Sequence, residues 1–306
     1  MMLQTDLGFA RLNNPIMPAS GCFGWGREYI ELFDLKTLGA VVTKATTYLP
    51  REGNATPRVA EAPAGMLNAI GLQNAGLHAV VKTDLPWLLE QKLPVLVNVA
   101  GSTVEEYVQV AAGLAEFPLL GLELNLSCPN VREGGIAFGL QAESVHRVVQ
   151  AVKAECQLPL VVKLSPNVTE ITELAVAAAE AGASALTVIN TLRGMAIDIE
   201  HRRPLLANTF GGLSGPAIKP VALAMVWQVA SAVDIPVIGC GGISRVEDVV
   251  EFLMAGASAV QVGSASFSEP LLLPRLVWEL EAWLQEHQTS VTELVGAAQR
   301  KDEIND

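Results

Sequence analysis

Eight short runs of apolar residues constrain the fold of this chain more than any other feature of its sequence. Each run is four to six residues long and rich in valine, isoleucine and leucine, without alternation of polar and apolar residues. A strand in a parallel sheet is buried on both faces and therefore reads as continuously apolar. The sequence predicts parallel strands over residues 15–19, 40–43, 94–99, 121–126, 159–164, 185–189, 235–239 and 259–263.

Helical segments separate most of these strands. Ser102 or Thr103 can cap the first of them, and Gly182 and Gly256 stand where two others should end. The sequence favours helices over residues 103–116, 143–155, 169–181, 217–233 and 246–254.

One helix-to-strand junction occurs twice. Residues 181–188 read AGASALTV and residues 255–262 read AGASAVQV, and each segment leaves a helix and enters a strand. Repeated βα units in a chain of 306 residues favour a (β/α)8 TIM barrel, with a doubly wound open sheet as the alternative. No linker divides the sequence, so we expect a single domain over residues 1–306 with a polar tail from about residue 299.

Composition excludes several classes of protein. Half of the residues are hydrophobic and 17% are charged, whereas a disordered chain has low hydrophobicity and high charge. The net charge of −12 provides no positive excess for nucleic acid. No apolar run reaches the roughly 18 residues of a membrane-spanning helix, and no signal peptide is visible. These features predict a soluble, cytoplasmic protein that binds neither membrane nor nucleic acid.

Polar residues and glycines follow the apolar runs, at the end of the strands where barrel enzymes hold their active sites. Lysine and asparagine are disfavoured in strands and in cores. Any one of them could simply end its strand in a turn, but the set as a whole predicts an active site. The residues are Ser20, Lys44, Ala45, Asn98, Asn125, Lys163, Asn190, Thr191, Gly241, Gly242, Gly263 and Ser264.

The last two strands end in glycine, in GCGGI at 239–243 and VGSAS at 262–266. Glycine lets backbone N–H groups approach phosphate oxygens closely, and barrel enzymes often bind phosphate between these two loops. No G-x-G-x-x-G fingerprint is present, because Ser244 stands where the third glycine is needed. We therefore expect a mononucleotide or a sugar phosphate, with plain turn glycines as the alternative.

The four cysteines are too widely spaced for a metal site, and a disulfide framework is not expected in such a chain. Cys22 and Cys156 are interpreted as packing residues, and Cys240 is expected to face the helix layer. Cys128 differs because it follows a strand end in NLSCPN, among polar residues, where a thiol can act as a proton acceptor. The glycine-bearing segment 131–139 behind it is typical of a lid.

These motifs together resemble those of the dihydroorotate dehydrogenase family. The resemblance extends over roughly residues 3–290, and NLSCPN followed by VREGGIAFG is its most specific part. The segment with Cys128 is similar to the soluble, cysteine-base class, and EGGIAFG and LNAIGLQN resemble its NAD-linked, two-subunit branch. The other matching motifs are MPASGCFG (17–24), VVTKATT (41–47), VVKLSPN (161–167), INT (189–191), GGLSGPAIKP (211–220) and GCGGI (239–243).

The resemblance implies ligands and residue roles. FMN would lie at the carboxyl ends of the barrel strands, contacted by Ser20, Lys44, Ala45, Asn98, Asn125, Lys163, Ile189, Gly215, Gly241, Gly242, Gly263 and Ser264. Dihydroorotate would contact Lys44, Asn68, Ala69, Ile70, Gly71, Leu72, Asn125, Asn130, Asn190 and Thr191. Cys128 would be the catalytic base that removes the C5 proton, while the C6 hydride passes to FMN and orotate leaves.

The resemblance also implies a partner. Electrons would pass to an electron-transfer subunit that carries FAD and a [2Fe–2S] cluster and reacts with NAD, in a heterotetramer of two catalytic and two partner subunits. The alternatives are a fumarate-dependent homodimeric dihydroorotate dehydrogenase and another FMN barrel reductase of pyrimidines.

Overall fold

The computed structural model describes residues 2–126 and 138–300. The strands in chain order are β1 (Thr5–Asp6), β2 (Arg11–Leu12), β3 (Ile16–Pro18), β4 (Val41–Val42), β5 (Val59–Ala62), β6 (Gly65–Asn68), β7 (Val95–Val99), β8 (Gly121–Asn125), β9 (Leu160–Lys163), β10 (Ala185–Val188), β11 (Leu192–Gly194), β12 (Ile197–Asp198), β13 (Arg203–Pro204), β14 (Gly211–Ser214), β15 (Val237–Cys240) and β16 (Ala257–Val262). The helices are α1 (Leu77–Ala79), α2 (Leu85–Glu90), α3 (Val104–Leu114), α4 (Ala142–Glu155), α5 (Ile171–Glu180), α6 (Lys219–Ala230), α7 (Val246–Met254), α8 (Ala265–Ser268), α9 (Leu272–Glu286) and α10 (Val291–Leu294).

The eight predicted strands form one parallel sheet in the order β3-β16-β15-β10-β9-β8-β7-β4. Next to the two end strands, the backbone N–H of Gly39 donates to the carbonyl oxygen of Ile16 at 2.9 Å, which brings β3 and β4 together and nearly closes the sheet. The prediction of a (β/α)8 barrel is confirmed, and the alternative of an open doubly wound sheet is wrong.

The five predicted helices are α3 to α7, each within three residues of the expected bounds. Thr103 caps α3, because its hydroxyl accepts from the N–H of Glu106 at 3.2 Å. Gly182 and Gly256 follow α5 and α7 with φ of +97° and +109°, the left-handed backbone that a helix end needs. The repeated AGASA segment is therefore one αβ junction used twice.

The inside of the barrel is apolar at the amino-terminal ends of the strands. Met17, Val42, Leu96, Val161, Ala185, Ile238 and Ala259 meet there in one buried cluster. The hairpin of β1 and β2 adds Leu7 and Leu12 to this cluster and covers that end of the barrel. The opposite end, where the strands finish, is left for the candidate site.

An antiparallel sheet that the sequence did not predict stands at the carboxyl ends of the barrel strands. Its order is β11-β14-β6-β5, and we call it the cover sheet. The β5–β6 hairpin follows β4, and β11 and β14 follow β10, so two separate insertions supply its strands. Within the described ranges, no helix has the length and hydrophobicity needed to span a bilayer. The polar tail predicted from about residue 299 lies mostly outside the described residues.

Candidate active site

Six strands each place one polar or thiol side chain inside the barrel, above the apolar cluster. Most of these residues stand two positions after a member of that cluster on the same strand, so both point to the same face of the sheet. We call them the polar layer: Asn98, Glu123, Lys163, Thr187, Cys240 and Gln261, every one of them buried.

Hydrogen bonds join the polar layer into one network. Asn98 Nδ2 donates to Glu123 Oε1 at 2.7 Å, and Thr187 Oγ1 donates to Glu123 Oε2 at 2.8 Å. Gln261 Nε2 donates to Glu123 Oε2, and its Oε1 accepts from Lys163 Nζ at 3.0 Å. A lysine and a glutamate, 4% and 0% exposed, are therefore connected through one glutamine inside the barrel.

Lys163 keeps its charge although it is buried. Burial disfavours the ammonium form, but the neighbouring Cys240 and the Glu123 carboxyl outweigh that cost, so the pKa of Lys163 is raised above its ordinary value. Nζ lies 3.9 Å from Cys240 Sγ and 3.0 Å from Gln261 Oε1. Since an ammonium has three donors, these contacts leave capacity for a ligand.

Asn98 carries a buried acceptor that nothing satisfies among the described residues. Its Nδ2 is bound to Glu123, while Oδ1 has no hydrogen-bond partner there, although the residue is fully buried. Leaving a buried carbonyl unpaired costs about 1–3 kcal/mol, which a ligand donor would recover.

The loop after β15 is a tight glycine turn. Gly241 and Gly242 have φ of +141° and +77°. A Cβ atom at Gly241 would lie 2.6 Å from Ala222 Cβ, and one at Gly242 would lie 2.9 Å from the carbonyl oxygen of Gly215. The start of α6 and the Gly215 turn therefore pack directly against this loop, which brings three of the predicted site glycines together.

Asp248 forms hydrogen bonds with the last residues of the same loop, where the loop enters α7. Its carboxylate accepts from the backbone N–H groups of Ser244 and Arg245 at 2.8 and 3.1 Å and from Lys219 Nζ at 2.7 Å. Burial disfavours its charged form, but these donors outweigh that cost and the pKa of Asp248 is lowered.

Asn125, Asn190 and Thr191 meet at the ends of β8 and β10. Asn190 Nδ2 donates to Asn125 Oδ1 at 3.3 Å, and Asn190 Oδ1 accepts from the N–H of Thr191 at 2.8 Å. Tyr107 of α3 donates its hydroxyl to the carbonyl oxygen of Asn125 at 2.7 Å. Three of the predicted substrate residues are thus adjacent.

Asn68 and the segment after it approach the site from the cover sheet. Asn68 ends β6, and its Nδ2 donates to the carbonyl oxygen of Gly212 in β14 at 3.3 Å. Gly212 also faces the side chain of Thr191, with no room for a Cβ between them. Asn68 and Thr191 therefore flank one point of the cover sheet.

Residues 69–72 form a turn that a second asparagine ties to the barrel. Gly71 and Leu72 have φ of +79° and +56°. Asn74 Nδ2 donates to the carbonyl oxygen of Leu72 at 2.7 Å and to Thr47 Oγ1 at 2.8 Å. Since Thr47 lies three residues after Lys44, this links the turn to the end of β4.

The remaining predicted residues lie at strand ends around the same opening. Ile189 donates its N–H to the carbonyl oxygen of Cys240 at 2.8 Å, and a Cβ at Gly241 would be 3.7 Å from its side chain. Ala19, the neighbour of Ser20, packs against Gly263, which precedes Ser264. Lys44 and Ala45 lie two and three residues after the end of β4, with Lys44 half-buried.

Known proteins share this sequence over most of its length. A family model described as dihydroorotate dehydrogenase matches residues 2–284. The chain belongs to the dihydroorotate dehydrogenase family. A relative from Geobacillus sp. (strain WCH70) is 54% identical over 303 residues, which cover 98% of this chain and 97% of the relative. A relative from Bacillus cytotoxicus is 56% identical over 285 residues, which cover 93% and 92%. Both are named dihydroorotate dehydrogenase B (NAD(+)), catalytic subunit.

The family resemblance implies a catalytic role for Cys128 and for none of the other cysteines. Cys128 and Asn130 lie outside the described residues, as does most of the segment 131–139. Burial raises the pKa of the Cys22 thiol to about 12 and also raises the pKa of Cys240, in spite of Lys163 beside it. The prediction that Cys240 faces the helix layer is wrong. Its Sγ points into the barrel, because position 240 continues the inward alternation of Ile238.

Three members of the polar layer were not predicted from the strand ends: Glu123, Thr187 and Gln261. Each is a polar residue inside an apolar run, in GLELN, ALTV and ASAVQV. A glutamate within such a run is the signal that could have identified the layer, because charge is rarely buried without a partner. Within the described part of the chain, no group of three or more metal-ligating side chains is present.

Proposed function

We propose that this chain is the catalytic subunit of an NAD-linked, two-subunit dihydroorotate dehydrogenase, which oxidises (S)-dihydroorotate to orotate in the synthesis of pyrimidine nucleotides. The observation that carries the proposal is that one buried layer at the carboxyl ends of the strands holds both the Lys163 ammonium and the Asn98 carbonyl oxygen, which is unpaired among the described residues. A chain of the dihydroorotate dehydrogenase family has a use for this arrangement, because a flavin presents both donors and a developing negative charge.

FMN fits the residues that the chain offers. The buried Asn98 Oδ1 needs a donor, Lys163 has donor capacity, and the Gly241–Gly242 turn carries no side chain of its own that would cover its backbone N–H groups. The proposed cofactor contacts are Ser20, Lys44, Ala45, Asn98, Asn125, Lys163, Ile189, Gly215, Gly241, Gly242, Gly263 and Ser264. When bound, FMN supplies the acceptor for the hydride that leaves the substrate. Lys163 favours that transfer by placing positive charge where electrons arrive.

The asparagines are proposed to recognise the substrate ring. Dihydroorotate has amide donors and acceptors around its ring, and an asparagine side chain offers both. Asn125 and Asn190 already orient each other, and Asn190 is fixed further by the N–H of Thr191. Asn68, Asn130 and the segment 69–72 complete the proposed set. The backbone of 69–72 is proposed to hold the substrate carboxylate, and Lys44 to contact both the flavin and the substrate.

Cys128 is proposed as the base that removes the C5 proton. Support comes from two of the other thiols: the pKa values of the partly buried Cys22 and the buried Cys240 are both raised by desolvation, so neither is suited to accept a proton near neutral pH. Cys156 is buried at the end of α4, where it packs in the core. Only Cys128 follows a strand end within a polar segment.

A partner subunit is proposed to carry FAD and a [2Fe–2S] cluster and to pass electrons to NAD, in a heterotetramer of two catalytic and two partner subunits. The support is the name of the relatives, which are catalytic subunits of an NAD(+) enzyme. The purified chain alone should be reduced by dihydroorotate but should not reduce NAD at an appreciable rate. Efficient NAD reduction by the chain alone, or turnover with fumarate, would contradict this part of the proposal.

Anaerobic addition of dihydroorotate to the purified, flavin-containing protein tests the activity. The flavin absorbance should bleach, and orotate should appear in equal amount. Cys128→Ala should retain FMN but lose bleaching by several orders of magnitude, because no base remains for the C5 proton. Cys156→Ala is the matched control and should bleach like the wild type. Normal bleaching by Cys128→Ala would exclude Cys128 as the base.

A further inference from the structure

Glu123 is the centre of the polar layer. It is fully buried in β8, and it receives donors from three other strands: Asn98 Nδ2 at 2.7 Å, Thr187 Oγ1 at 2.8 Å, and Gln261 Nε2. The sequence predicted no role for this carboxyl group. Moving a charged group into a barrel interior costs several kcal/mol, so an isolated structural role is a poor explanation for it.

The acceptor character of Glu123 sets the orientation of two amides. An ionised carboxylate accepts hydrogen bonds and donates none. Asn98 must therefore turn its NH2 group toward Glu123, which leaves Oδ1 facing away, buried and unpaired among the described residues. Gln261 must do the same, which leaves its Oε1 to accept from Lys163 at 3.0 Å.

The same carboxylate balances the charge of Lys163. The two groups are linked through Gln261, and no solvent screens them because both are buried. The positive field that Lys163 exerts at the mouth of the barrel is therefore the difference between its own charge and the opposing charge of Glu123.

We propose that Glu123 is a positioning residue, which fixes the Asn98 carbonyl as an acceptor for the flavin and sets the positive potential that Lys163 exerts on it. This inference rests on the proposed function, because it assumes that FMN occupies the barrel mouth. It adds a role for a residue that lies beneath the cofactor contacts and acts through two of them.

Glu123→Gln tests the inference with little change of shape. The variant removes one negative charge and offers one acceptor oxygen in place of two, so Asn98 is no longer held in one orientation. FMN affinity should fall about tenfold, as expected for one lost buried hydrogen bond of about 1.4 kcal/mol. The midpoint potential of the bound flavin should become more positive, because less negative charge opposes the reduced form. Wild-type affinity together with a wild-type potential would overturn the proposal.

Thr187→Val is the matched control. It removes one hydrogen bond to the same carboxylate, in the same layer, but leaves the charge in place. Its midpoint potential should equal that of the wild type, and its circular dichroism should show a folded barrel. A shift as large as that of Glu123→Gln would mean that packing, not charge, controls the potential, and the proposal would fail.

If Glu123→Gln does not fold, a double variant in which positions 123 and 261 exchange their side chains provides a second test. The double variant E123Q/Q261E moves the carboxylate across one hydrogen bond and keeps the net charge of the layer. The carboxylate then lies one hydrogen bond from Lys163, so the midpoint potential of the flavin should become more negative than that of the wild type. FMN should bind more weakly, since Asn98 no longer faces a carboxylate. Unchanged FMN affinity in this variant would overturn the role in orientation. A wild-type protein that binds no flavin would instead refute the proposed function.

Discussion

At the scale of single residues, the turn after β15 depends on glycine for two separate reasons. Gly242 has φ of +77°, a conformation that costs most other residues about 1–2 kcal/mol. Its Cα also faces neighbours so close that a Cβ would lie 2.8 Å from Lys219 Cβ and 2.9 Å from the carbonyl oxygen of Gly215. Strain and crowding therefore act at the same position.

Gly242→Ala should separate these two effects when it is compared with Gly296→Ala. Gly296 has φ of +71°, but no described atom lies within 4 Å of its Cβ position, so it carries only the conformational cost. We expect Gly296→Ala to lower the free energy of unfolding by about 1 kcal/mol and Gly242→Ala by about 2–4 kcal/mol, with weaker FMN binding in the latter alone. Urea denaturation and flavin titration measure both. Equal losses of stability in the two variants would contradict the crowding argument.

The sequence predicted a site residue most readily where its position near the end of a buried strand was enough to suggest a role. Lys163 is the last residue of β9 and Asn98 the penultimate residue of β7, and both lie in the polar layer at the barrel mouth. Glu123, Thr187 and Gln261 escaped because their roles depend on which strands face each other across a nearly closed barrel. No local pattern records which of these strands face one another. The inward orientation of Cys240 could have been predicted locally, because it stands two residues after the inward-facing Ile238.

At the scale of elements, one side chain of α7 holds the end of the loop that carries the glycine turn. Asp248, in the first turn of α7, accepts from the backbone N–H groups of Ser244 and Arg245, which follow the glycine turn, and from the ammonium of Lys219 in α6. Its side chain is 3% exposed, whereas Glu251, which also contacts Lys219, is 43% exposed. The two carboxylates share a partner but differ in their contact with the turn.

Asp248→Asn should weaken the binding of a phosphate-bearing flavin specifically. The variant loses a buried charge that holds Lys219 and the turn, and we expect a loss of about 2–4 kcal/mol in the free energy of unfolding. FMN affinity should fall while riboflavin, which has no phosphate, binds as weakly as it does to the wild type. Glu251→Gln is the control and should resemble the wild type. Parallel losses for both flavins would show that the turn does not serve the phosphate.

The barrel elements were predictable and the cover sheet was not. Burial on both faces gives the barrel strands continuous apolar runs, as in Val95–Val99 and Leu160–Lys163. The cover-sheet strands are short and only partly buried, and β14 reads GGLS, which has no β-branched residue and resembles a loop. Their pairing joins segments more than 140 residues apart, through the contact of Asn68 with Gly212.

At the scale of the whole molecule, the ion pair of Asp248 and Lys219 makes stability depend on pH. The folded-state pKa of Asp248 is lowered from its ordinary value of 3.8, because Lys219 and two backbone N–H groups outweigh the cost of burial. A lowered pKa means that the stabilisation is fully present above pH 3.8 and is lost as the pH falls through the folded-state value.

Wild type and Asp248→Asn should therefore converge in acid. Their free energies of unfolding should differ most at neutral pH. The difference should shrink as the pH falls from about 3.8, where the unfolded chain takes up the proton, toward the lower folded-state pKa of Asp248. Urea denaturation at intervals between neutral pH and the acid limit of folding measures the difference. A constant gap across that range would mean that the substituted amide disturbs packing and that the charge of Asp248 contributes nothing.

The division of the site between two sheets also bears on how such an enzyme can diversify. The proposed flavin contacts belong mainly to the barrel, whereas Asn68 and the turn after it belong to the cover sheet, which two insertions build independently of barrel closure. With the proposed site, we expect mutations in those insertions to alter the accepted ring without changing the strands proposed to hold the flavin. Natural selection can thus explore new substrates while electron transfer is preserved, and directed evolution of this chain should begin in the cover sheet.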